Sequence, residues 1–261
     1  LSLVPILLTK RKAPNFKKIS GMKLKEVYKS SPFGVVSSFL IGISHSAVFS
    51  LIAVYATSMN FSILEVSIVT FLFAISGAIS QWPIGKLSDV LDRRIVIIYT
   101  TFGAALFCFL AIISSGQMYM PAGLATSKLL FYICIMCFSF CSLPMFALIF
   151  AHTNDFIPKE KFVAAGAGLE FVFGLGAICG PFMCSLFMEF LGENGFFIFL
   201  IIFHSFIGLF GIYRMQVRES GDNPDSQFVP MPQTITPAGI ELNPSTKPID
   251  EPNNLSEFKK I

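Results

Sequence analysis

The sequence predicts an all-α integral membrane protein with six transmembrane helices, and three observations carry that prediction. Charged residues make up 13% of the 261-residue chain and hydrophobic residues 54%, about half the charge that a soluble domain uses to cover its surface. Stretches 34–57, 63–84, 95–114, 124–151, 162–188 and 196–213 are mostly apolar, and each is near the roughly 20 residues needed to cross a bilayer. Lysine and arginine gather on every second connection between these stretches, as they do on the cytoplasmic side of a membrane. The net charge of +3 says less than this local distribution.

Taken in order, Leu1–Leu8 (LSLVPILL) reads as the end of a preceding transmembrane helix. No charged n-region precedes it, which disfavours a signal peptide, and the chain is expected to be a C-terminal fragment. Residues 9–33 form a basic cytoplasmic loop, with Lys10, Arg11, Lys12, Lys17, Lys18, Lys23, Lys25 and Lys29 against a lone Glu26. Residues 34–213 hold the six spans. Their first connection, 58–62, is uncharged, and the second carries Lys86, Arg93 and Arg94. The third (SSGQMYMPA) has no Lys or Arg, the fourth supplies Lys159 and Lys161, and the fifth supplies only acids. The fourth and fifth spans are long enough to require tilt or a kink. Pro83, Pro144 and Pro181 lie in or at the ends of spans, where neighbouring helices can satisfy the freed backbone groups. Residues 214–261 open with Arg214 and Arg218 and then turn Pro-rich and polar, a composition that cannot bury enough surface to fold. They are expected to form a disordered cytoplasmic tail.

The polar stretch PIGKLSDVLDRR, residues 83–94, interrupts this apolar chain. Arg93 and Arg94 could simply anchor a helix end, but that leaves Gly85 and Asp89 unexplained. Gly85 allows a tight exit from a helix, and Asp89 at a membrane edge needs water or a cationic partner. The pattern Gly85-x-Leu87-x-Asp89, followed by Arg93, Arg94 and Ile97, resembles the cytoplasmic signature of the major facilitator superfamily, G-x-L-x-D-[RK]-x-G-[RK]-[RK]-x-x-[ILV]. Val90 stands where the signature has a basic residue, and Asp92 where it has Gly. Both departures fit the weaker second copy of the signature, which lies between the eighth and ninth spans. Gly176-x-x-x-Gly180-Pro181 resembles the family's Gly-Pro helix-packing motif. The basic stretch before the first span resembles its central loop, and NDFIPKEKFVAAGAG its tenth-to-eleventh connection.

The resemblance implies the C-terminal half of a 12-helix fold, built from inverted 3+3 repeats that rock against a missing N-terminal six-helix half. It implies that Asp89 contacts the facing half, with Arg93 and Arg94 tying a gate that favours the outward-facing state. The chain resembles a bacterial branch of the family without assigned substrates, which implies a place in the inner membrane.

Ionisable groups within the hydrocarbon are costly and are functional candidates. His45 lies ~17 Å along the first full span, and Ser38, Gly42, Ser46, Ala53 and Thr57 share roughly its face. The resemblance places this span on the central cavity. Glu170 lies ~12 Å into the fifth span, after a run of small residues (Ala164 to Gly168) that permits close helix approach. Both are candidates for substrate or proton coupling, and both could instead be structural. His204 is expected at a packing or lipid-edge position, and Lys128 near the outer end of its helix can snorkel. His152, Asn154 and Asp155 read as a capped helix end. The six cysteines all fall in spans. Cys134 and Cys137 have CxxC spacing but lack a second ligand pair, so they read as small apolar residues. No metal, cofactor or nucleic acid is expected.

These residues point to a secondary active transporter that moves a small-molecule substrate by alternating access, with a proton as candidate coupling ion. The alternative is a non-transporting receptor or scaffold on the same fold. The chain lacks both a phosphate-binding loop for a primary pump and the paired groups of an intramembrane enzyme.

Overall fold

Apolar runs of this length leave the backbone only one way to satisfy its hydrogen bonds in lipid, and that is helix. The computed structural model describes residues 22–114 and 128–218, and no strand occurs among them. The elements are α1 (Leu24–Ser30), α2 (Pro32–Ser58), α3 (Ile63–Val90), α4 (Arg93–Ser114), α5 (Lys128–Ser142), α6 (Met145–Asn154), a 3-10 turn (Lys159–Lys161), α7 (Phe162–Leu191) and α8 (Asn194–Val217). Among the described residues, six helices, with α5 and α6 counted as one span, are long and apolar enough to cross a membrane. The expected helix end at 1–8, residues 9–21 of the basic loop, residues 124–127 of the fourth span and residues 219–261 of the tail lie outside the described residues.

Local chemistry sets most helix ends. Ser31 caps α2 by accepting from Gly34 N–H (3.2 Å), with Pro32 in the first turn, where its missing N–H costs nothing. Asn60 turns the chain at φ 57°, a left-handed conformation that Asn tolerates better than most residues. Ser62 and Glu65 then form a reciprocal capping box at the start of α3. Pro144 has no N–H to offer the preceding turn, and the fourth span accordingly breaks there into α5 and α6.

Helix α2 packs against α7 and α8, α5 against α3 and α4, and α4 against α8. Exchanging the first three spans with the last three converts α2–α7 into α5–α3 and α2–α8 into α5–α4, and returns α4–α8 to itself. This is the pairing that an inverted three-helix repeat requires. An aromatic cluster of Tyr55, Phe131, Phe196 and Phe197 closes one end of the bundle, with Tyr55 4.9 Å from Phe197 and 5.2 Å from Phe196 between ring centres.

Several expectations are corrected. Gly85 does not release the chain from a helix. It is buried within α3, which continues past Pro83 to Val90 and closes when Leu91 N–H donates to Leu87 O (2.9 Å). The stretch 83–94 is therefore two helix ends joined through Leu91 and Asp92, because Lys86 and Asp89 can face water from the last turns of α3 without ending it. Within the basic loop 9–33, residues Leu24–Ser30 form α1, whose Val27 is buried against α7. Helix α8 continues through Arg214 to Val217.

Candidate functional site

The charged end of the bundle is assembled from four helix termini. Asp89, in the last turn of α3, accepts from Arg93 Nη2 one turn on (3.2 Å). The same guanidinium pairs with Asp155, just beyond α6, and donates to Ala151 O (3.1 Å). A cation is well placed there, because unpaired carbonyls collect at a helix C-terminus. Arg93 and Arg94 are both 7% exposed, so these are buried, charge-assisted bonds.

Arg94 grips Asp92 as a two-pronged fork, Nε to Oδ1 at 3.1 Å and Nη2 to Oδ2 at 2.6 Å, and also donates to Arg218 O (2.6 Å). Burial pushes the Asp92 carboxyl up, but the hydrogen bonds and charge of Arg94 outweigh it and hold the group below its ordinary value. Lys86 instead lies over the Trp82 ring, 4.2 Å from its centre, and Leu87 is exposed. The sequence singled out Asp89, Arg93 and Arg94, but it missed Asp155 as a partner. An acid one residue past a helix that ends on the basic side was the available signal.

The glycine motif lies on a tight crossing of α2 and α7. A Cβ at Gly176 would sit 2.2 Å from Phe39 O, one at Gly180 2.2 Å from Ile43 O, and one at Gly42 2.2 Å from Phe173 O. The backbones touch, and Ser38 Oγ donates across the seam to Leu169 O (2.8 Å). Pro181 continues within α7.

The two coupling candidates are not brought together by any contact. His45 is 1% exposed. Its Nε2 lies 3.1 Å from Ser142 O and 3.2 Å from Ser142 Oγ. The polar face drawn around it divides, with Ser38 and Gly42 buried and Ala53 and Thr57 exposed. His204 is likewise no lipid-edge residue, being fully buried. Its Nε2 is 2.8 Å from Ser142 Oγ and its Nδ1 2.9 Å from Leu200 O. A carbonyl can only accept, so Nε2–H of His45 and Nδ1–H of His204 donate to these oxygens, and Ser142 O–H donates to His204 Nε2. Ser44 Oγ completes the cluster 3.3 Å from His204 Nδ1. Sequence reading passed over Ser142; its only signal was its place two residues before Pro144.

Glu170 is half-buried on α7, and its Oε2 is buried without a hydrogen-bond partner among the described residues. Lys128 pairs with Glu65 at the opposite end of the bundle from Arg93.

Six apolar helices in inverted pairing, tied at one end by buried ion pairs, define a multi-pass integral membrane protein. The Major Facilitator Superfamily profile matches residues 34–255, and the chain belongs to that family. It is 24% identical over 200 residues to an uncharacterized MFS-type transporter of Yersinia enterocolitica, covering 77% of this chain and 47% of the relative. It is 26% identical over 191 residues to the uncharacterized MFS-type transporter YfkF of Bacillus subtilis (70% and 45%). It is 21% identical over 214 residues to YcaD of Escherichia fergusonii, also an uncharacterized MFS-type transporter (81% and 52%). The chain spans about half the length of the curated relatives it matches. Proteins of this family are transporters rather than enzymes.

Proposed function

We propose that the chain is the C-terminal half of a secondary active transporter that carries a small solute across the inner membrane by alternating access. On this reading residues 34–213 move as one body against an N-terminal six-helix half, with 9–33 and 214–261 on the cytoplasmic side and 1–8 ending the preceding helix. The broad exposed apolar faces of α3 and α7 suit contact with that half and with lipid.

The observation that carries the reading is the Asp89–Arg93–Asp155 relay. Arg93 is held from both sides within this half, while 37% of the Asp89 side chain remains exposed and available to the facing half. A carboxylate presented this way forms and breaks a charge-assisted contact as the halves rock, which is what a gate requires. Glu170 is the coupling carboxylate on this reading, since His45 is fully engaged with Ser142. A proton is the coupling ion.

Asp89→Asn in the full-length transporter tests the gate. State-sensitive cysteine labelling should show less of the outward-facing form at unchanged membrane insertion. An unaltered distribution of states would return Asp89 to the role of a helix anchor.

A further inference from the structure

Beside the ion-pair relay, a shallow, open surface recess is lined by Ser31, Pro32, Phe33, Arg94, His152, Phe156, Arg214 and Arg218. Three guanidinium groups border it, and no carboxylate among the described residues lines it. They are not equivalent. Arg94 is occupied by Asp92 and by Arg218 O. Arg218 stacks on Phe156, 4.1 Å from the ring centre, and donates to Ser30 O (2.6 Å), which fixes its orientation while it forms no ion pair with the described residues. The Arg214 side chain makes no hydrogen bond or ion pair with the described residues and is half-buried. The recess thus holds one cation immobilised over the Phe156 ring and, in Arg214, one without a partner among the described residues. The first turn of the 27-residue α2 adds the positive end of a helix dipole.

We propose that this recess binds a phosphate-bearing anion, presented as an anionic lipid headgroup or taken up as free phosphate. Guanidinium forks match the tetrahedral oxygens of phosphate. The recess is open at its mouth and cannot enclose a solute, so it suits the charged end of a larger molecule held outside it. Tyr213, exposed next to Arg214, is the residue type that marks the membrane–water boundary. Lys23, Lys25 and Lys29 of the neighbouring α1 segment are exposed as well, so this end carries further positive charge toward an anionic surface. The site adjoins the gate through Arg94, but its phosphate chemistry does not depend on the transport reading.

The test uses the full-length transporter purified without phosphate. Native mass spectrometry should show phosphatidylglycerol retained over phosphatidylcholine, and Arg214→Gln should weaken that retention about five-fold, the share of one arginine at a charged membrane surface. Arg214→Lys, which keeps the charge but loses the fork, should recover only part of it. Lys86→Gln, which removes a cation at the same end but outside the recess, should leave it unchanged. In phosphatidylcholine nanodiscs at constant ionic strength, inorganic phosphate that raises Tm in the parent but not in Arg214→Gln identifies free phosphate as the source. Phosphatidylglycerol retention and phosphate stabilisation that are both indifferent to Arg214, or a loss for Lys86→Gln equal to that for Arg214→Gln, overturn the proposal.

Discussion

Placing a methyl group at Gly180 or Gly176 is the sharpest test of how α2 and α7 are joined. Alanine is the better helix former by about 1 kcal/mol, so helix propensity alone predicts that either substitution stabilises. The crossing predicts the opposite. Each new Cβ would lie 2.2 Å from a carbonyl oxygen of α2, where real Cβ contacts stay beyond 3.0 Å. The obstruction is backbone, which cannot rotate aside as a side chain can, so the helices must separate by most of an ångström. Overpacking of this kind costs about 1–3 kcal/mol. Separation also stretches the Ser38–Leu169 bond, worth about 1 kcal/mol, which offsets the gain in helix propensity, so each variant should lose about 1–3 kcal/mol. Gly174 provides the internal control, because a Cβ there meets nothing within 4 Å. Thermal unfolding followed by fluorescence-detected size exclusion should rank Gly174→Ala at or above the parent, with Gly176→Ala and Gly180→Ala well below. Equal behaviour of all three would show that the close approach does not govern stability.

Two further outcomes follow from the polar ties. Asp92→Asn keeps a side-chain acceptor but loses the ion pair with Arg94. The folded-state pKa of Asp92 lies below its unfolded value, so its stabilisation is complete above the ordinary carboxylate range and fades as pH falls through the lowered folded value. The Tm gap between parent and variant should therefore be widest at neutral pH and close on acidification; a gap independent of pH would exclude the pair as its cause. Ser142→Ala leaves His204 Nε2 without its donor in a buried site, which should lower stability by about 1–3 kcal/mol, read by the same unfolding assay, and no loss would mean that the hydroxyl is dispensable.

The six spans were legible because length and apolarity determine membrane crossing with little help from tertiary context. Their ends were less so. Glycine and charge at Gly85 and Asp89 looked like a loop, yet a helix leaving the bilayer can carry both, and α3 runs on to Val90. The motif arginines were legible, but Asp155 was not, because its meeting with Arg93 depends on where the termini of α4 and α6 come together. The histidines failed in a different way. Depth along a helix was readable for His45 and His204, whereas the side each ring faces was not, since all-apolar helices have no polar stripe to give the rotation. The contrast between buried Gly42 and exposed Thr57 on the presumed common face shows how little periodicity constrained it.

Helix α6 connects these two kinds of tie. All ten of its residues are buried, and it spans ~15 Å between polar attachments that differ in their access to water. At one end Pro144 breaks the span, and Ser142, on the far side of the break, is held by His45 and His204 in surroundings where no water can replace a lost hydrogen bond. At the other end Asp155 is held by Arg93, whose second partner Asp89 is over a third exposed. Opening the buried tie would strand polar groups in an apolar interior. The ionic tie is no looser, because the Arg93 and Asp155 side chains are only 8% and 11% exposed, and stranding one member of a buried ion pair costs about 3–5 kcal/mol. Helix α6 is thus held at both ends by buried polar contacts, and Asp89, 37% exposed on α3, is the member of the ionic relay that water reaches most readily.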